Sequence, residues 1–294
     1  MKKLIIFILM FASWSFQAQT LSPFIKVGDV NGTMAATSQK VVQALKDNGF
    51  TVLGSYHPGK MSNLKVIAFT RPDYKYTVVQ VPDRGALAAP LRVGLVKKGD
   101  KITVSYTNPE FITRAYLGGD YNKYKTFFNK FSRDVKQAFS GIGNEFTPFG
   151  GKIKTDKIKK YHYKIMMPYF TDPVELNEFS SFAEGVKTIE NNLRNHVANT
   201  QMVYKIKYKN KDVAVYGVGL LDKEDGEAHF LPKIGVENVA AMPYEIILQG
   251  NKATMLHGKY RLALFWPDLS MGTFMKIMST PGDIEDMLKK VCKQ

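Results

Sequence analysis

The densest run of ligand-capable and aromatic side chains is Tyr161-His162-Tyr163-Lys164-Ile165-Met166-Met167-Pro168-Tyr169-Phe170. An imidazole beside two thioethers is a soft donor set of the kind that suits Cu(I). That reading makes His162, Met166 and Met167 copper ligands, with Met255 and His257 available to join them. The competing reading is packing. Flexible Met fills irregular gaps, the aromatic rings would plug a junction between domains, and His162, Ile165 and Met167 alternate as residues of a strand do. Packing asks for nothing beyond ordinary burial and is the stronger of the two, so no cofactor is expected and copper is the alternative.

Other constellations are weaker. The histidines His57, His162, His196, His229 and His257 include no two at metal-ligand spacing. No Gly-x-Ser-x-Gly elbow and no acid/base carboxylate pair stands out. Gly141, Gly143, Gly150 and Gly151 lack the Gly-Lys-Ser/Thr that a phosphate loop needs. The single Cys292 excludes an intrachain disulfide and any Cys-based zinc site, and so near the end it is expected to be an exposed thiol on a frayed tail. With no nucleophile–base set and no cofactor loop, no catalytic residue is assigned. The expectation is a non-catalytic binding or structural protein, neither hydrolase nor oxidoreductase, with its small ligand unidentified. If a pocket lies between two parts of the chain, Tyr163 and Arg261 are the side chains expected to face it, together with His162.

The chain begins with Lys2 and Lys3, continues with 13 largely apolar residues from Leu4 to Phe16, and turns polar at Gln17-Ala18-Gln19. This is the order of a secretory signal, and the run is too short to span a bilayer. Residues 1–18 are therefore expected to direct export to the periplasm or exterior and to be cleaved near Ala18. A disulfide-free exported protein of about 276 residues must be held together by its core. The 45 % apolar content, with 19 Phe and 15 Tyr, supplies one.

The net charge is +15, or +13 without Lys2 and Lys3, and it is concentrated. Between 119 and 165 stand eleven Lys or Arg against Asp120, Asp134, Glu145 and Asp156. In an exported protein such a stretch points away from nucleic acid and toward anionic lipid or cell-wall polymer; the plainer alternative is a solubilising surface.

The pattern along the chain gives the elements that position these residues. A first helix is expected from Ser38 as N-cap through Val41, Val42 and Leu45, ended by Asn48-Gly49. Strands follow at Phe50–Tyr56 and Lys65–Phe69. Leu91–Val96 and Lys101–Tyr106 form a hairpin around Lys97-Lys98-Gly99-Asp100. Tyr124, Phe127, Phe128, Phe131, Val135 and Phe139 recur at helical spacing. A second set begins near Asp172, with Ser181 and Glu184 at capping-box spacing. It continues with strands at Gln201–Lys207 and Val213–Leu220 and a hairpin across Gln249-Gly250-Asn251. A strand is expected at Tyr260–Phe265, and two short helices close the chain.

The two halves repeat one order. Ala88-Ala89-Pro90-Leu91-Arg92-Val93 leads to the turn at Gly99, and Ala240-Ala241-Met242-Pro243-Tyr244-Glu245-Ile246 leads to the turn at Gly250. The fold expected is α+β: two tandem two-layer α/β modules, mainly antiparallel, with helices on one face. The modules are 19–118 and 171–294, with a basic helical and irregular connector at 119–170. The stretch Val41–Tyr116, with Asp47-Asn48-Gly49-Phe50, Pro90-Leu91-Arg92-Val93 and Val104-Ser105-Tyr106-Thr107-Asn108-Pro109, resembles the bacterial domain of unknown function numbered 302. The second half, with Met242-Pro243-Tyr244-Glu245 and Trp266-Pro267-Asp268-Leu269-Ser270-Met271, is similar to exported two-part members of that grouping. The resemblance implies a two-layer module, often paired, with no established function. Pairing of the modules within one chain, or a homodimer, is the corresponding expectation.

Overall fold

The structure is a computed structural model that describes residues 19–163 and 166–293. The export segment read at 1–18 lies outside the described residues. The first unit comprises β1 (Thr20–Leu21), β2 (Phe24–Asn31), α1 (Met34–Asp47), β3 (Thr51–Tyr56), β4 (Leu64–Thr70), α2 (Pro72–Val78), β5 (Leu91–Lys98), β6 (Lys101–Thr107), α3 (Pro109–Leu117), α4 (Lys125–Ala138) and β7 (Thr147–Phe149). A short β8 (Ile153–Lys154) and α5 (Thr155–Ile158) follow. The second unit comprises β9 (Val174–Glu178), α6 (Phe182–Arg194), β10 (Thr200–Lys207), β11 (Val213–Leu220), α7 (Glu227–Ile234), β12 (Tyr244–Gln249), β13 (Lys252–Met255), α8 (Gly258–Phe265), α9 (Met271–Met275) and α10 (Thr280–Val291).

The fold is α+β with antiparallel sheets. One sheet runs β3-β4-β5-β6-β2-β7 and the other β10-β11-β12-β13-β9. Without β7 the two orders correspond strand for strand, and α1 and α6 hold the same place in each. Both hairpins turn through two residues, Gly99-Asp100 and Gly250-Asn251. Their glycines have φ of 59° and 56°, a conformation open to Gly at no steric cost.

Two local readings are corrected. α1 begins at Met34 rather than after Ser38: the Thr33 hydroxyl accepts the Ala36 N–H at 3.1 Å, and Ser38 is buried inside the helix. Tyr260–Phe265 is not a strand but most of helix α8. Every residue of that helix except Lys259 is buried, so no polar stripe marks the 3.6-residue period, and a short apolar run does not distinguish helix from strand. At α6 the expected cap is present, with the Ser181 hydroxyl accepting from Glu184 N.

The central strands are covered on both faces. In β5, Leu91, Val93 and Leu95 alternate with Arg92, Gly94 and Val96, and all six are buried. Arg92 and Gly94 share the face turned to the second unit. There Arg92 Nε donates to Ala240 O at 3.3 Å, and a Cβ on Gly94 would stand 2.8 Å from Val239 Cγ1 and 3.0 Å from Ala240 N. The edge strands β3 and β10 also meet: a Cβ on Gly54 would lie 1.9 Å from the Val203 carbonyl oxygen. The two units therefore share one continuous core rather than touching through a hydrated surface.

Candidate binding site

Two features are chemically unusual, one at the junction of the units and one beside α8. The first is a buried ionic network. Arg92 on β5 meets Glu245 on β12 at 2.9 Å, and Arg261 on α8 reaches the other oxygen of the same carboxylate at 3.1 Å. All three are nearly inaccessible. Arg92 Nη1 also donates to Pro90 O at 3.0 Å, while Arg261 Nη2 donates to Ala241 O and Pro243 O. The guanidinium of Arg261 lies over the Tyr244 ring, 4.0 Å from its centroid. Close by, the buried Glu227 at the start of α7 accepts from Tyr56 Oη at 2.7 Å and from Gly59 N at 2.9 Å. Burial pushes its pKa up to about 7, against the pull of those donors.

The second feature is a cleft. The C-terminal end of α8 stops at Trp266, whose backbone N–H donates to Leu262 O at 2.8 Å, and Pro267 prevents continuation. The chain then turns through Leu269 into α9, which Ser270 caps by accepting from Thr273 N. Opposite lie residues 161–163 and 166–170. Tyr161 Oη donates to Ala263 O at 3.1 Å and Tyr163 Oη to Leu269 O at 3.4 Å, so two tyrosines fasten this segment to α8 and the loop beyond it. Between them is a cavity of about 190 Å³ walled by Met167, Leu262, Trp266, Leu269, Met271 and Phe274, with Tyr163 and exposed Lys259 at its margin. Trp266 is buried, and its indole N–H has no acceptor among the described residues.

Beside it lies a wider depression of about 420 Å³, lined by Lys152, Lys154, Lys157 and Lys160 together with His162, Tyr163 and Pro267. The local fold explains why the lysines gather there. β8 pairs with β1 (Leu21↔Ile153, Thr20↔Lys154), and Thr155 N and Oγ1 both bond to Gln19 O. Ile153 and Ile158 are buried as anchors, and the interleaved lysines are turned to solvent. Tyr163 lines both the apolar cleft and the lysine-rich depression.

The residues singled out by sequence are dispersed over this region. His162 lines the lysine-rich depression, its ring 4.4 Å from that of Tyr169. Met167 lies in the cleft wall, and Met166 is 97 % exposed with φ of 69°. The described part of the 161–170 segment is irregular rather than a strand; Lys164 and Ile165 lie outside the described residues. Tyr163 is at the cleft, whereas Arg261 is committed to the buried network and is not among the cleft residues. Among the described residues no group of three His, Cys, Asp or Glu is placed to hold a metal ion. No described helix is long and apolar enough to cross a membrane. Cys292 is fully buried rather than frayed. Sequence reasoning missed Trp266, quoted only within the motif that carries the resemblance, and Lys259; the paired Trp-Pro after an apolar run was the available signal.

An α+β fold of two matching antiparallel sheets, joined through a buried ionic network, is the class that these features define. Residues 28–123, which cover most of the first unit, match the family model described as Domain of unknown function DUF302. A crystal structure of an uncharacterized conserved protein DUF302 from Bacillus stearothermophilus is similar to this chain at 12 % identity and a TM-score of 0.32, covering 40 % of this chain and 93 % of that one. No curated protein matches the chain.

Proposed function

We propose that this protein is a non-catalytic binding protein that holds the apolar part of a small ligand in the cleft between α8–α9 and the 161–170 segment. The observation that carries the reading is the cleft wall itself: apolar side chains, among them the buried Trp266, around about 190 Å³. A dry apolar cavity of about 150 Å³ is enough to bind benzene, so this one suits a group of on the order of six to eight carbons. The pattern of residues 1–18 supports an exported location for this activity, and the basic 119–165 stretch supports an anionic neighbour. The position of Met167 in the cleft wall supports the apolar role of the 161–170 cluster.

Titration calorimetry of the full chain with 1-octanol tests this reading. Saturable one-to-one binding is expected. Across the straight-chain alcohols, each added methylene should tighten it by roughly fourfold, from about 0.8 kcal/mol per buried CH₂, until the cleft is full. Ala263→Phe, which fills the cleft, and Met271→Arg, at a residue 49 % exposed and so tolerant of change, should both abolish it. Non-saturable partitioning, or binding indifferent to both variants, would end the reading.

A further inference from the structure

The apolar cleft and the lysine-rich depression are separate in chemistry but adjacent in structure. Tyr163 lines both, and the consecutive residues Trp266 and Pro267 line one each. The apolar wall offers little to a charge, and the lysine side offers little to a hydrocarbon. Lys152, Lys154, Lys157 and Lys160 line the depression without an acidic side chain among its described lining residues, and Asp156 stands 4.0 Å from Lys157. A solubilising surface has no need to gather four lysines on one concavity that shares a wall residue with an apolar cavity.

We infer that the two together form one site for a short, single-chain anionic amphiphile. Its hydrocarbon tail occupies the cleft and its phosphate or carboxylate head lies among Lys152, Lys154, Lys157 and Lys160, with Tyr163 as the divide. This inference rests on the cleft reading above and adds the head group to it. The cleft volume sets the tail at one short chain, which excludes the two long chains of a bilayer lipid. The head is read by charge rather than by shape, because the lysines are exposed point charges on flexible stems.

The test compares octyl phosphate, 1-octanol and inorganic phosphate on the full chain by calorimetry. At low salt octyl phosphate should bind about tenfold or more tighter than octanol, as four modest surface ion pairs would give. The advantage should shrink at about 0.5 M salt, where screening shortens the reach of exposed charges to a few ångström. The variant with all four lysines changed to Gln should bind octyl phosphate no better than octanol while its octanol affinity is unchanged. Octanol binding with no gain from the phosphate ends this inference and leaves the cleft reading standing; no octanol binding ends the cleft reading itself. Inorganic phosphate binding as tightly as octyl phosphate would reduce the site to a simple anion patch and overturn the proposal. So would loss of the gain in Lys259→Gln but not in the four-lysine variant. Sedimentation with phosphatidylglycerol vesicles that Ala263→Phe leaves untouched would assign the lysines to a membrane surface instead, which also overturns it.

Discussion

Arg92 and Glu245 form an ion pair at 2.9 Å across the junction of the two units, and each stands two residues after the proline that opens its strand, Pro90 or Pro243. Corresponding positions of the two sheets thus touch one another. The correspondence extends to the carbonyls: Arg92 donates to Pro90 O, and Arg261 donates to Pro243 O.

Glu245 serves two guanidinium groups, so removing it leaves both buried without their counter-charge. Glu245→Ala should cost about 3–5 kcal/mol, the range for breaking a buried pair by deleting one partner. Replacing Arg92 and Glu245 together by Met should cost less than Glu245→Ala alone, because the first guanidinium then leaves with its partner. Urea denaturation of the three proteins checks the order; a double variant at least as destabilised as the single would show that the network is held by its carbonyl contacts rather than by charge.

Glu227 supplies a pH dependence whose sign is fixed. Its pKa rises from 4.5 in the unfolded chain to about 7 in the folded one, chiefly by burial. Between those values the folded state binds the extra proton, so stability contributed by this group is full below about 4.5, falls as pH rises, and is lost above about 7. The fall amounts to about 3 kcal/mol. Urea denaturation from pH 4.5 to 8 should show the decline, and Glu227→Gln, which cannot ionise, should flatten that part of the profile. An unchanged slope in the variant would place the titration elsewhere.

The α+β class, the two hairpins and the order of elements were legible because strand alternation, turn glycines and caps are local signals. The connection between the units was not. Arg92 and Glu245 are 153 positions apart in the chain, and nothing in the residues around Arg92 says whether it faces water or a carboxylate. α8 was misread for a related reason: a helix buried on all sides has no polar face to give its period away. At the cleft, Tyr163 stands with Trp266, whereas Arg261, five residues before Trp266, belongs to the buried network. Only the turn of α8 decides which of those side chains meets the network and which meets the cleft.

Gly94 tests how closely the units are packed. A Cβ there would press on Val239 Cγ1 and on the Ala240 backbone, and a backbone cannot swing aside as a side-chain tip can. Gly94→Val should therefore destabilise by about 1–3 kcal/mol or more, the cost of overpacking a filled core. Gly141→Ala serves as the control, since nothing lies within 4 Å of the added methyl, and should change stability by no more than about 0.5 kcal/mol. Equal thermal midpoints for both variants would mean that the junction yields.

Cys292 reports on the same packing from the far end of the chain. Its thiol is fully buried at the end of α10, where Ile284, Leu288 and Val291 form the inward stripe, and its carbonyl accepts from Asn177 Nδ2 at 2.7 Å. Burial pushes the thiol pKa up, so very little of the reactive thiolate exists at neutral pH, and reagent reaches it only when α10 opens. Reaction with a thiol-specific disulfide reagent should be slow in the native protein and fast, to one equivalent, in denaturant. If α10 opens only with the whole core, the native labelling rate should rise in Glu245→Ala and Gly94→Val in proportion to their loss of stability. A rapid native reaction equal in all three proteins would show instead that α10 frays by itself.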